Sequence, residues 1–166
     1  GCSFVIHLVD TPAHVDFTGK VTSALRAIDG AIVVVDAVEE IMAQTETVTR
    51  QALEERVKPV LFINKVDRLI NELKLSAYEI QNKFIGIIND FNNLIETYGE
   101  PEIKEEWKID PTKESIAFGS ALHRWGFTLS TAQKRGIKIN EIVDAYRKDK
   151  LQDIVKKIPV HDAILD

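Results

Sequence analysis

Val60-Leu61-Phe62-Ile63-Asn64-Lys65-Val66-Asp67 joins an unbroken apolar run to a polar tetrad. Four apolar residues in a row, with no polar alternation, suit a strand buried on both faces of a parallel sheet. Three more runs have the same texture: Phe4-Val5-Ile6-His7-Leu8-Val9, Ala31-Ile32-Val33-Val34-Val35 and Ile116-Ala117-Phe118. Between the runs lie helical patterns. Val21, Leu25 and Ile28 recur at helix spacing after Asp16, and residues 45–55 carry Val48 and Ala52 on one face. Strand alternating with helix predicts an α/β, doubly wound, mostly parallel sheet with right-handed crossovers.

After Asp67 the pattern changes. Ser76 with Glu79 three positions later reads as a capping box. Ile80, Phe84, Ile87, Ile88, Phe91, Leu94, Ile95 and Tyr98 then follow at spacings of three and four, and Gly99 and Pro101 end the helix. Residues 102–113 read as a charged loop around Trp107. The expected organisation is therefore one domain formed by residues 1–68 and 115–166, with a mainly helical subdomain, residues 69–114, inserted between two strands. From Thr128 onward short helices are expected, with Gly136 ending one, Asn140 capping the next and Pro159 breaking the last.

The 166 residues are enough for one domain with a real core. A net charge of -5 excludes a dominant nucleic-acid footprint, so no sequence-specific reading of nucleic acid is expected. The single cysteine, Cys2, excludes an internal disulfide and fits a reducing, cytoplasmic setting. Every apolar run is strand-sized, so no membrane span is expected. The chain opens without Met, inside an expected strand and without a leader pattern, which suggests a fragment.

In sheets of this kind ligands bind beyond the carboxyl ends of the strands. The first run leads into Asp10-Thr11-Pro12-Ala13-His14-Val15-Asp16, the third into Asn64-Lys65-Val66-Asp67, and the fourth into Gly119-Ser120-Ala121. A carboxylate after a buried strand only accepts hydrogen bonds. Guanine presents two adjacent donors, its ring N–H and its exocyclic amine, where adenine presents none in that arrangement. Two charge-assisted bonds of about 1.5–3 kcal/mol each would separate the two bases by orders of magnitude. Asn64 would tie neighbouring loops together, and the apolar stem of Lys65 would lie across the base. Small residues at Ser120 and Ala121 would let a backbone N–H approach a base carbonyl. A polar loop that merely caps the strand is the plainer alternative. Asp10 could hold hydrated Mg²⁺ and His14 could orient an attacking water, while the plainer reading of His14 and Asp16 is a solvated turn with Asp16 opening a helix. A His14–Asp16 metal pair is disfavoured, because Thr11, Pro12 and Val15 bring no further ligands.

Taken together these motifs resemble the G domain of the translational GTPases, most closely the archaeal elongation factor 2 type. The resemblance extends through Val38-Glu39-Glu40-Ile41-Met42-Ala43-Gln44-Thr45 and Trp125-Gly126-Phe127. It implies that Asn64, Lys65, Asp67, Ser120 and Ala121 bind the guanine of GTP or GDP. It also implies that Asp10 holds Mg²⁺ through water and that His14 positions the attacking water. In the intact factor the implied partner is the ribosome, at its stalk and factor-binding site, and GTP hydrolysis would drive translocation. A non-catalytic module for ribosomal or protein contact is the alternative, with the helix through Ile80 and Tyr98 as its docking element. A metal-dependent hydrolase built on Asp10, His14 and Asp16 is a third, remote reading.

Two departures from the family pattern stand out. Ala13 occupies the glycine position of Asp-Thr-Pro-Gly-His, where the N–H meets the γ-phosphate in a reorienting switch. Alanine keeps that N–H but penalises positive φ by about 1–2 kcal/mol, so slower switching is expected rather than lost binding. No Gly-x-x-x-x-Gly-Lys-[Ser/Thr] phosphate loop is present, so these residues alone are not expected to hydrolyse GTP. In the parent fold the strand before that loop lies between the first two runs, and its absence would leave unpaired sheet edges.

Overall fold

The computed structural model describes residues 5–10 and 18–165. It contains a four-stranded sheet in the order β1-β2-β3-β4, built from β1 (Gly30–Asp36), β2 (Lys58–Asn64), β3 (Ile116–Ser120) and β4 (Trp125–Phe127). β1, β2 and β3 run parallel, and β4 returns antiparallel to β3. The helices are α1 (Thr18–Leu25), α2 (Ala43–Glu54), α3 (Val66–Asn71), α4 (Ala77–Tyr98), α5 (Lys104–Trp107), α6 (Leu129–Arg135), α7 (Ile139–Arg147), α8 (Leu151–Lys157) and α9 (Val160–Leu165). This is the expected mixed α/β architecture with a mostly parallel sheet.

The parallel register brings chemistry to one end. Asp36 pairs directly with Asn64, so the second and third apolar runs finish side by side. β2 and β3 are buried almost throughout, as unalternated runs demand. One sheet face holds the main core, where Val35, Leu61, Ile63, Ile116 and Phe118 meet Leu53 of α2 and the buried stripe of α4. That stripe is Ile80, Phe84, Ile87, Phe91 and Ile95, the expected 3- and 4-residue spacing. Phe84 lies 4.5 Å from Phe118 between ring centroids, and Phe127 lies 5.5 Å from Phe118. On the opposite face Phe62 and Ala117 are covered by Val160 and Ala163 of α9. Val21 and Leu25 of α1 pack with Ala52 and Val57 in a separate cluster.

Ser76 caps α4 as expected. Its hydroxyl accepts the Glu79 N–H, and the Glu79 carboxylate accepts the Ser76 N–H at 2.8 Å. Both hydrogen bonds from Ser76, through its backbone N–H and its hydroxyl, hold the Glu79 carboxyl below its ordinary value. Gly136 ends α6 at φ +64°, the left-handed cap that glycine adopts without penalty.

Several expectations need correction. Of the first apolar run, expected as a buried strand, residues 5–9 have no secondary structure and are exposed, as is Asp10, while Phe4 lies outside the described residues. A strand needs a partner's backbone, and the outer edge of β1 has none among the described residues. β1 is buried on one face only, with Val33 and Val35 inside and Ile32 and Val34 about half exposed. Trp125 and Phe127 are core residues and form a short strand that the apolar runs did not mark. Asn140 does not cap α7. Lys138 stands at that position, because the chain turns at Gly136 and commits Ile137 to the core. The charged stretch 102–113 contains the one-turn helix α5 and a 3-10 turn at Pro111–Lys113.

Candidate functional site

Asn64 is the last residue of β2, and its side chain works as a splice. Its Oδ1 accepts the N–H of Lys65 at 2.8 Å and the N–H of Ala121 at 3.0 Å, drawing the loops after β2 and β3 together. Lys65 adopts a left-handed backbone, φ 61°, before α3 begins. This conformation costs a non-glycine residue about 1–2 kcal/mol, and the bond from its N–H to Asn64 helps hold it.

The turn delivers Asp67 into the interior. Asp67 is only 6% exposed, and its Oδ1 is buried with no hydrogen-bond partner. A buried carboxylate oxygen without a partner forfeits several kcal/mol of solvation, so this one is a vacancy of chemistry that a donor would fill. Its other oxygen, Oδ2, lies 4.0 Å from His123 Nδ1.

Ser120 closes β3 with no exposed surface. Gly119 before it must be glycine, since a Cβ there would meet the Trp125 carbonyl oxygen at 2.4 Å and Gly126 Cα at 2.8 Å. That close approach of β3 to β4 sets Ser120 opposite Trp125. The Ser120 hydroxyl accepts the His123 N–H at 3.2 Å, tightening the loop that carries Ala121.

Asp36 is a site residue that the motif search passed over. It ends the second apolar run, so the rule that found the other loops applied to it equally. Its Oδ1 accepts the N–H of Val38 at 2.8 Å, while its Oδ2 lies 2.9 Å from Lys65 Nζ and 3.0 Å from Arg68 Nη1. Burial pushes the Asp36 carboxyl up, but the bond from Lys65 and those from the Val38 and Glu39 N–H groups outweigh it, leaving the group below its ordinary value. Lys65 is thus held by its backbone from Asn64 and by its head from Asp36. His123 and Tyr146 also escaped notice, because α7 is remote in sequence and a lone histidine after a strand has no distinguishing spacing.

Asp10 is exposed, and Ala13 and His14 lie outside the described residues. No group of three or more His, Cys, Asp or Glu side chains able to hold a metal occurs among the described residues. No helix there is long and apolar enough to cross a membrane.

Known proteins share this chain's pattern. It is 64% identical over 167 residues to elongation factor 2 of Korarchaeum cryptofilum, 59% over 169 residues to that of Sulfolobus acidocaldarius and 57% over 169 residues to that of Sulfurisphaera tokodaii. Each alignment takes in the whole of this chain and 23% of the relative's length. Residues 2–160 match the family model of the elongation factor Tu GTP binding domain. The chain belongs to that GTP-binding domain family.

Proposed function

We propose that this chain is the guanine-reading part of the GTP-binding domain of a ribosomal translocation factor of the elongation factor 2 type. The observation that carries the reading is the buried, unpartnered Oδ1 of Asp67, beside loops spliced by Asn64. An acceptor-only group in that state calls for a ligand with donors, and the guanine edge supplies an adjacent pair. The Lys65 stem, with its head drawn to Asp36, would lie along one face of the base. The Ser120–Ala121 loop would approach the base carbonyl.

In the whole protein GTP would order the switch segment that starts at Asp10. Asp10 would hold Mg²⁺ through water, the Ala13 N–H would meet the γ-phosphate, and His14 would orient the attacking water. Mg²⁺ would neutralise charge developing on the phosphates. Residues 1–68 and 115–166 would make the GTPase domain, with 69–114 as an inserted subdomain, and the ribosome would be the partner.

Calorimetric titration of the full chain with GDP and with ADP, in Mg²⁺ buffer, tests this. GDP should bind saturably and ADP should not. Asp67→Asn should lose about two orders of magnitude in GDP affinity, the value of two charge-assisted bonds. The same variant should gain affinity for xanthosine diphosphate, whose 2-carbonyl accepts the new amide N–H. Absence of GDP binding in a cooperatively folded chain would overturn the nucleotide reading in favour of a non-catalytic interaction module.

A further inference from the structure

Behind Asp67 lies a chain of hydrogen bonds that the guanine motifs do not include. Tyr146, on α7, has its hydroxyl 2.7 Å from His123 Nδ1 and 2.8 Å from Trp125 Nε1. An indole nitrogen only donates, so Trp125 fills one lone pair of the Tyr146 oxygen. The Ser120 hydroxyl accepts the backbone N–H of that histidine. Burial first, and the charge of Asp67 second, push the Tyr146 hydroxyl well above its ordinary pKa, only partly offset by the Trp125 donor. The phenol therefore keeps its proton, and of its two hydrogen-bond partners only His123 Nδ1, at 2.7 Å, can accept it.

An imidazole that accepts at Nδ1 carries its proton on Nε2. In that tautomer the nitrogen facing Asp67 Oδ2, at 4.0 Å, has no proton to give. We propose that Tyr146 is a positioning residue for the base site: by donating to His123 Nδ1 it keeps the histidine from competing for Asp67, and leaves the carboxylate to the base. This rests on the guanine reading above and deepens it. It keeps Oδ2 open beside the buried, unpartnered Oδ1, since a donor-bearing Nδ1 at 4.0 Å needs only a small ring movement to occupy Oδ2.

The test is a double-mutant cycle on GDP affinity in the full chain. Tyr146→Phe should weaken GDP binding by about tenfold, the effect of one competing hydrogen bond to a charged group. Adding His123→Ala should restore affinity to within about twofold of the unmodified chain. Loss through a disturbed Ser120 loop would not be rescued this way, so a double variant as weak as Tyr146→Phe overturns the proposal. Tyr146→Phe binding GDP as tightly as the unmodified chain does so too. Imidazole nitrogen shifts of the unmodified chain give a reading independent of any variant's folding. The Nε2–H tautomer of His123 at neutral pH supports the proposal, and Nδ1–H or imidazolium overturns it. An unmodified chain that does not bind GDP would instead refute the guanine reading itself.

Discussion

Residues 5–9 and residues 60–63 are apolar runs of similar composition, each followed by a polar motif, yet they end in opposite states. The second run lies within β2, between β1 and β3, buried on both faces, and its motif is locked by Asn64. The first is exposed and without secondary structure, and so is Asp10 beyond it. Hydrophobicity alone does not make a strand. A flanking backbone must take its N–H and C=O groups, and side chains from other elements must cover its faces. Where both are supplied, the polar residues at the strand's end acquire a fixed geometry.

The comparison breaks if apolar truncations in the two regions cost the same. Phe118→Ala removes a ring packed against both Phe84 and Phe127 and should cost about 3–5 kcal/mol in urea unfolding. Leu8→Ala, at a residue 87% exposed, should stay within about 0.5 kcal/mol. A large loss at Leu8 would show that residues 5–9 pack in solution.

Asp67 sharpens the contrast from the functional side. Its unpartnered oxygen makes it a cost to the fold, so Asp67→Asn should raise stability by up to about 1 kcal/mol in the nucleotide-free chain. The same change should remove about 3 kcal/mol of GDP affinity. Unfolding midpoints with and without GDP would show both effects, and a variant destabilised without nucleotide would mean that Asp67 has a structural partner.

Asn64→Ala strands two N–H groups, those of Lys65 and Ala121, and frees the left-handed turn. A loss of about 1–3 kcal/mol is expected, with GDP binding weakened through the displaced loops. Full stability in Asn64→Ala would mean that the splice between β2 and β3 is dispensable.

How far the sequence revealed all this varies with the kind of constraint. β2, β3 and α4 were legible because burial on both faces, or on one helical stripe, writes itself as an unbroken run or a 3- and 4-residue repeat. That Asn64, Lys65 and Asp67 gather at the end of β2, beside Ser120 and Ala121 at the end of β3, was legible because an apolar run shows where its strand stops. Residues 4–9 misled because pairing is a property of the partner, and a run does not show whether its partner lies alongside. β4 was hidden because three residues carry no periodicity. Tyr146 was hidden because its role depends on α7 folding back over a loop some twenty residues earlier.

Asp36 is the case the sequence rule covered and the reading missed, and it yields the smallest effect. Its folded pKa is depressed, so the stability it contributes is fully present above the unfolded carboxyl value. That contribution is lost as pH falls through the lower, folded value. Asp36→Asn should therefore cost stability near neutrality, by less than about 1 kcal/mol because the Lys65 head is half exposed. The difference from the unmodified chain should shrink only in the strongly acidic range, below the ordinary aspartate pKa. Denaturant midpoints of the two chains from pH 7 downward would show it. A gap that closes near pH 6 would assign the effect to another group, and no gap at pH 7 would mean that Lys65 and Arg68 are held without Asp36.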